Sequence, residues 1–260
     1  MAASKKPPST SRPQAWLPAL SLLIGLTLWA LITRNPRVPA FILPSPADVW
    51  ASFVRKLMDG TLFLHIGVTL AEVLGGLALG LVVATLLGYA LAKSPAAEKL
   101  LSPYIVASQA VPVVAIAPLL IIWFGPGIFS KILICALIVF FPVLVNTVVG
   151  LRSVPADLRD LMHSLQATRL QSLALLEIPA ALPVLFGGLR IGATLSVIGA
   201  VVGEYIGADR GLGFLIRLGD GSFDTALVFV AVFLLVGLAL GLYGIVVGLE
   251  KQFLGWQGKG

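Results

Sequence analysis

The sequence predicts an all-α, polytopic membrane protein with about six transmembrane helices. Of its 260 residues, 58% are hydrophobic, and the mean hydropathy is +1.01. Only 12% of the residues are charged, about half the share in soluble domains. Several apolar runs approach or exceed the roughly 20 residues that a helix needs to cross a bilayer. A β-barrel would show short alternating segments instead of these long continuous runs.

The N-terminal region divides into three parts. Residues 1–14 form a basic tail, and residues 15–34 form the first transmembrane helix. A cleaved signal peptide is the alternative for this helix, but charged residues and proline follow it instead of a small-residue cleavage site. Residues 35–64 form an external amphipathic segment, in which Ser45 begins a helix whose Trp50 and Phe53 suit the membrane interface.

Residues 65–250 form the membrane core, with five further helices. We expect them near residues 65–92, 103–124, 129–150, 182–203 and 225–248. Charged residues at 93–99 predict a short loop, and Pro112 and Pro118 predict a kink in the third helix. Six helices place both termini on one side, and the moderate excess of Lys and Arg in the loops of that side predicts that it is cytoplasmic. Residues 251–260 are then a cytoplasmic tail.

The longest polar interruption is residues 151–180, which predicts two short helices outside the bilayer. Ser153 and Pro155 indicate the start of the first helix. Thr168, with Gln171 three positions later, fits a capping box that starts the second. We expect Pro179 to end the second helix. The apolar residues of this pair are available to a partner.

Composition and motifs exclude several classes of function. The chain has no Walker A or HExxH pattern, so we predict that it is not an enzyme and binds no cofactor or metal. Its single cysteine, Cys135, excludes an intrachain disulfide. The net charge of +6 resides in predicted loops, as membrane orientation requires, and does not indicate a nucleic-acid partner.

Polar residues within the predicted spans are candidates for a translocation pathway or gate. A carboxylate inside a membrane is costly and suggests function, or else pairs with a polar neighbour on another helix. Glu72, in the second span, either has a functional role or lies near the interface or pairs with a polar neighbour. Ser108, Gln109 and Asn146 either line the pathway or bond helix to helix. Glu204 is predicted at the outer mouth, where it either acts in gating or in contact with a partner protein, or belongs to a hydrated loop.

The 151–180 segment resembles the "EAA loop" of binding-protein-dependent ABC importer permeases. The pattern of that loop is E-A-A, three residues, G, nine residues, then I-x-L-P. Asp160, Leu161 and Met162 take the E-A-A places, and Gln166 takes the glycine place. The set of candidate coupling residues is completed by Thr168, Leu176, Glu177, Ile178 and Pro179.

Four further stretches are similar to the branch of that family that includes nitrate, taurine and aliphatic sulfonate permeases. They are LPSPADVW at 43–50, SQAVPVVAIAPLLIIWFGPG at 108–127, FFPVLVNTVVGLRSVP at 140–155 and GEYIGADRGLGFLI at 203–216. EIPAALPVLFGGLRIG at 177–192 extends the loop in the same way. Together they cover most of the chain after residue 40 in the order of the family.

The resemblance implies the fold of a type I ABC importer permease in a bacterial inner membrane. It implies two ATPase subunits that use ATP, a periplasmic or lipid-anchored substrate-binding protein and a second permease copy. The cargo would be a nitrate-, sulfonate- or taurine-like anion or a related small organic nutrient. Since Arg190 is almost the only basic residue in the spans, a neutral or organic substrate, or selectivity held by the binding protein, is favoured. An ion-driven secondary transporter, with Glu72 as a proton site, is the alternative.

The chain departs from the family pattern at the loop glycine. That glycine permits a tight turn between the two short helices that contact the ATPase. Gln166 cannot adopt a positive φ as cheaply. Either the turn differs here, or Gln166 carries a small strain.

Overall fold

The computed structural model describes residues 16–255, which form eleven α-helices and one π-helical turn. The first five helices are α1 Trp16–Thr33, α2 Pro46–Met58, α3 Thr61–Lys93, α4 Pro95–Gln109 and α5 Val113–Phe124. They are followed by α6 Ile128–Arg152, α7 Ala156–Ser164, α8 Arg169–Ser172, the π-helical turn Leu173–Glu177, α9 Ile178–Gly207, α10 Leu212–Gly221 and α11 Thr225–Phe253. The predicted tail at 1–14 and the last five residues of the predicted tail at 251–260 lie outside the described residues, and α11 extends into the latter tail as far as Phe253.

The structure confirms an all-helical chain with five or six candidate membrane spans. Five helical segments are long and apolar enough to cross a bilayer: α1, α3, α6, α11 and the continuous segment Arg169–Gly207. The pair α4 and α5 makes a sixth if it is counted as one broken span. The amphipathic helix predicted at Ser45 is also present, because the Ser45 hydroxyl and the Asp48 carboxylate cap α2 reciprocally.

Close packing of α3 and α9 against α6 forms the centre of the bundle. On α3, Gly76, Gly80 and Gly88 face α6. A Cβ added at Gly80 would lie 2.8 Å from the carbonyl oxygen of Ala136, closer than packing allows. Small residues let helices approach this closely in lipid, where dispersion contacts and not water exclusion hold them together.

The kink predicted in the third span is present at Pro112. The span is broken there into two helices, α4 and α5, that meet at an angle of 94° around residues 110–112. The first of them begins at Pro95 and not near residue 103, and Pro118 lies inside α5. Pro112 is the N-cap of α5, and proline disfavours a helical conformation at the residue before it. The loop expected at 93–99 is reduced to Ser94, which caps α4 by accepting a hydrogen bond from Ala97.

The prediction that Pro179 ends the second short helix is wrong. The helix continues from Arg169 through the π-helical turn to Gly207. Pro179 lies in the first turn of α9, immediately after the π-helical turn. Proline is tolerated in a first helical turn, because its missing N–H is not needed there.

Candidate functional site

The segment that joins α6 to α9 contains two short helices, as the sequence predicts. The first, α7, begins after Pro155 and not at Ser153, whose hydroxyl donates back to the carbonyl of Gly150. The second, α8, begins at Thr168 with the predicted capping box. The Thr168 N–H donates to Gln171 Oε1 at 2.8 Å, and the Gln171 N–H donates to Thr168 Oγ1 at 3.3 Å.

The turn between these helices places Gln166 in the left-handed region, with φ of 53°. The Gln166 N–H donates to the carbonyl of His163 at 2.9 Å, and the Ala167 N–H donates to that of Met162 at 3.0 Å. This pair of bonds is a Schellman motif, in which the residue after the C-cap takes a left-handed conformation. Of the two alternatives for Gln166, the structure therefore shows the tight turn made with a non-glycine residue.

The segment offers an apolar surface that no described residue covers. We call it the leucine surface, and its members are exposed over two-fifths or more of their area: Leu158, Leu161, Leu165, Leu170 and Leu175. Neither α7 nor α8 has a buried residue. Asp160 and Ile178 are also exposed, whereas Met162, Leu176 and Pro179 are half-buried.

Ionic and polar contacts attach this segment to the membrane helices. Glu177, which is buried, forms an ion pair with Lys93 at the end of α3. Arg152 at the end of α6 holds both carboxylate oxygens of Glu98 at 2.5 Å. Arg159 of α7 donates to the carbonyl of Leu151 at 2.8 Å. These contacts join the π-helical turn to α3, α7 to the end of α6, and the end of α6 to α4.

A buried polar cluster lies at the other end of α9. Here the first backbone N–H groups of α10 are capped by side chains from two other helices. Gly211 N–H donates to His65 Nδ1 at 2.9 Å, Leu212 N–H donates to Thr69 Oγ1 at 2.8 Å, and Gly213 N–H donates to Glu204 Oε2 at 2.5 Å. The sequence predicts Glu204 to be at the outer mouth, and the structure buries it fully in this cap.

Glu72 and Lys131 extend the cluster. Glu72 is 2% exposed and lies near Glu204, and its Oε2 has no hydrogen-bond partner among the described residues. Lys131 is equally buried; its ammonium group donates to the carbonyls of Pro126 and Gly207 and lies near both carboxyl groups. The role of Glu72 stays a prediction.

The other pathway candidates lie elsewhere. Ser108 and Gln109 are exposed at the end of α4, beside the bend to α5. Asn146 is half-buried on α6 and donates to the carbonyl of Pro142 at 2.7 Å. Their role in a pathway stays a prediction.

Sequence reasoning did not identify His65 and Thr69 as members of this cluster. One signal was available. Positions 65, 69 and 72 follow the spacing of a single helix face, so three polar side chains line one side of an apolar helix. Their partners at 204 and 211–213 could not be deduced from that spacing.

The sequence is similar to those of known membrane transport proteins. Residues 60–254 match the family described as "Binding-protein-dependent transport system inner membrane component". The chain is 46% identical to a riboflavin transport system permease protein of Chloroflexus aurantiacus, over 92% of this chain and 89% of that protein. It is 37% identical to a formylaminopyrimidine transport permease protein of Halalkalibacterium halodurans, over 95% and 98%. It is 32% identical to the taurine transport system permease protein of Escherichia coli, over 92% and 89%.

Proposed function

Because the chain belongs to the family of inner-membrane components of binding-protein-dependent transport systems, we propose that it forms, with a second copy of itself, the pathway of an ATP-driven importer for a small organic nutrient. The family makes it a permease subunit that is not itself an ATPase, and implies an ATPase and a substrate-binding protein as partners.

The leucine surface is the feature that supports contact with the ATPase. The five exposed leucines on and beside α7, α8 and the π-helical turn are apolar side chains that a soluble partner would remove from water. Two of them, Leu170 and Leu175, belong to the first turns of the segment Arg169–Gly207. They lie on both sides of the Gln166 turn, where the resemblance places coupling residues. The ion pairs at Lys93 and Arg152 then transmit movement of this segment to the membrane helices.

An organic substrate is supported by both the relatives and the charges. The riboflavin and formylaminopyrimidine permeases share more of this sequence than the taurine permease does. Two basic side chains in the described spans are not free: Arg190 pairs with Glu250 at 3.2 Å, and Lys131 in the first turn of α6 is buried with its own partners. We therefore propose a nitrogen-containing ring compound as cargo in preference to a sulfonate, with selectivity set by the binding protein.

Orientation follows from the same contacts. If the leucine surface meets a cytoplasmic ATPase, then α2 and the loop before α10 face the periplasm. That arrangement agrees with the excess of basic residues on the side of the 151–180 segment.

Copurification tests the coupling surface. The tagged chain and its ATPase are purified in mild detergent, and the ATPase is quantified for Leu161→Asp and Leu170→Asp. Each change puts a charge into the apolar patch, so ATPase recovery should fall at least about tenfold. Met58→Asp is the matched control, because Met58 is 84% exposed at the end of α2, on the opposite side. Equal ATPase recovery from all three variants would refute the coupling surface.

Uptake tests the mechanism and the substrate. Proteoliposomes that contain the chain, its ATPase and its binding protein should accumulate labelled riboflavin or a formylaminopyrimidine only with ATP, and should be unaffected by an uncoupler. Uptake without ATP that an uncoupler abolishes would support the secondary transporter instead. Preferential uptake of taurine would overturn the proposed substrate class and leave the importer intact.

A further inference from the structure

A polar cavity of about 560 Å³ lies where the end of α3 meets α7 and α8. Tyr89 and Lys93 line it from α3, Arg159 and His163 from α7, and Arg169 from α8. Glu177 lines it from the π-helical turn. The size fits a small headgroup or a single side chain.

The cavity has an excess of positive charge. Glu177 neutralises Lys93, which leaves the guanidinium groups of Arg159 and Arg169. Arg159 uses one nitrogen on the carbonyl of Leu151, and Arg169 has no side-chain partner among residues 16–255. Two arginines around one space present several N–H donors in a geometry that suits a phosphate group.

The cavity also contains an acceptor without a donor. Glu177 is 5% exposed, and its Oε2 has no hydrogen-bond partner within the described part of the chain. A buried carboxylate oxygen in this state is costly, so free energy is gained if the Glu177 carboxylate rotates and Oε2 meets a hydroxyl donor in the cavity. The ligand that fits best therefore combines an anion with a hydroxyl group.

The position of the cavity, beside the end of the spanning helix α3, indicates which molecule supplies such a ligand. Lys93 is the last residue of the spanning helix α3, and Glu177 lies near the start of the spanning segment Arg169–Gly207. A spanning helix ends at or beyond the headgroup region, so lipid phosphates are within reach of these positions. Lys93 lies over the ring of Tyr89, 5.7 Å from its centre, and Lys and Tyr are typical of the headgroup level. The leucine surface, in contrast, is separate and apolar.

We propose that this cavity binds the headgroup of an anionic phospholipid that carries hydroxyl groups, such as phosphatidylglycerol. The phosphate lies between Arg159 and Arg169, and a glycerol hydroxyl donates to Glu177 Oε2. Basic pockets at the ends of membrane helices bind anionic headgroups by the same physics. The bound lipid links α7 and α8 to the bilayer and does not depend on transport or on the proposed substrate.

Native mass spectrometry of the full-length chain, purified in detergent and mixed with defined lipids, tests this site. Phosphatidylglycerol should remain bound in preference to phosphatidylcholine, which has no net charge. Phosphatidylethanol has the same anionic phosphodiester without the headgroup hydroxyls, and should be retained less than phosphatidylglycerol. Arg169→Gln should lower phosphatidylglycerol retention about fivefold, the effect of removing one cation near an anionic headgroup.

Lys99→Gln is the matched control, because Lys99 is an exposed cation at the same end of the bundle but outside the cavity. It should retain phosphatidylglycerol as the parent does. Arg159→Gln provides a second cavity variant if Arg169→Gln is not monodisperse. Three results would overturn the proposal: equal retention by cavity variants and control, displacement of the lipid by inorganic phosphate, or displacement by the ATPase, which would assign the cavity to an acidic protein segment.

Discussion

Thr69 donates a 2.6 Å hydrogen bond to Glu204, although 135 residues separate them along the chain. The same threonine oxygen accepts from Leu212 N–H, and the other oxygen of Glu204 accepts from Gly213 N–H. These bonds fix the start of α10 against α3 and α9. A helix terminus has unpaired N–H groups that must find partners when they are buried, and here the carboxylate and hydroxyl supply them. The polar cluster thus stabilises α10 inside an apolar bundle.

Gly211→Ala should destabilise the protein strongly. Gly211 has a φ of +106°, and an added Cβ would overlap the Glu204 carboxylate. The backbone conformation costs an L-residue about 1–2 kcal/mol, and overpacking adds about 1–3 kcal/mol. We expect the midpoint of thermal unfolding in detergent to fall by about 6 °C or more. Gly221→Ala is the control, since a Cβ there meets nothing within 4 Å; an equal fall in both variants would contradict the role of the cap.

The glycines of α3 that face α6 predict a second effect. Gly80→Ala places a methyl group 2.8 Å from the Ala136 carbonyl oxygen and 3.1 Å from Val139 Cβ, so α3 must move away from α6. The expected cost is about 2 kcal/mol. Gly244→Ala on α11 meets nothing within 4 Å and should be neutral, or stabilising by up to about 1 kcal/mol. Thermal unfolding of both variants, monitored by size-exclusion chromatography, measures the difference in their stability. A Gly80→Ala variant as stable as the parent would show that the two helices do not pack this closely.

Local features that depend on neighbouring residues could be predicted from the sequence. Contacts between residues far apart along the chain could not. The Thr168 cap needs only Gln171, three positions away, and was confirmed. The bond between His65 and Gly211 joins positions 146 apart, and no local pattern indicates it. The Pro179 prediction failed for another reason: the rule that proline stops a helix applies to a helix interior, and the preceding π-helical turn makes Pro179 part of a first turn.

Lys131 provides a prediction about buried charge. Lys131→Met leaves the carbonyls of Pro126 and Gly207 without their donor and leaves Glu72 and Glu204 without a nearby cation. Removing one partner of a buried ionic group costs about 3–5 kcal/mol. Thermal unfolding should therefore show a large loss of stability.

Glu72→Gln should be tolerated and should partly rescue Lys131→Met. The amide cannot become charged, so only one carboxyl group near the lost cation can carry a negative charge, and the amide offers an N–H to the nearby Glu204. The double variant should recover about 1 kcal/mol or more relative to the sum of the single changes, as expected for coupled neighbours. Strict additivity in this double-mutant cycle would show that the two residues do not share one electrostatic environment. Glu72→Gln that keeps ATP-dependent uptake would also argue against a proton-carrying role for this residue.

The left-handed turn at Gln166 gives a graded test of the coupling segment. Glycine adopts φ of 53° without a steric penalty, asparagine tolerates it better than glutamine does, and the β-branched valine tolerates it least. Stability of the α7–α8 turn should therefore rank Gly above Asn, Asn above Gln, and Gln above Val, with Gln166→Gly gaining about 0.5–1 kcal/mol. Hydrogen exchange of the Ala167 N–H, which closes the Schellman motif on Met162, reports this order directly. Thr168→Ala serves as the control. It removes the side-chain cap of α8 but does not change the residue at position 166, which has the positive φ. If Gln166→Val exchanges as slowly as Gln166→Gly, the turn is not under the backbone strain that its φ indicates.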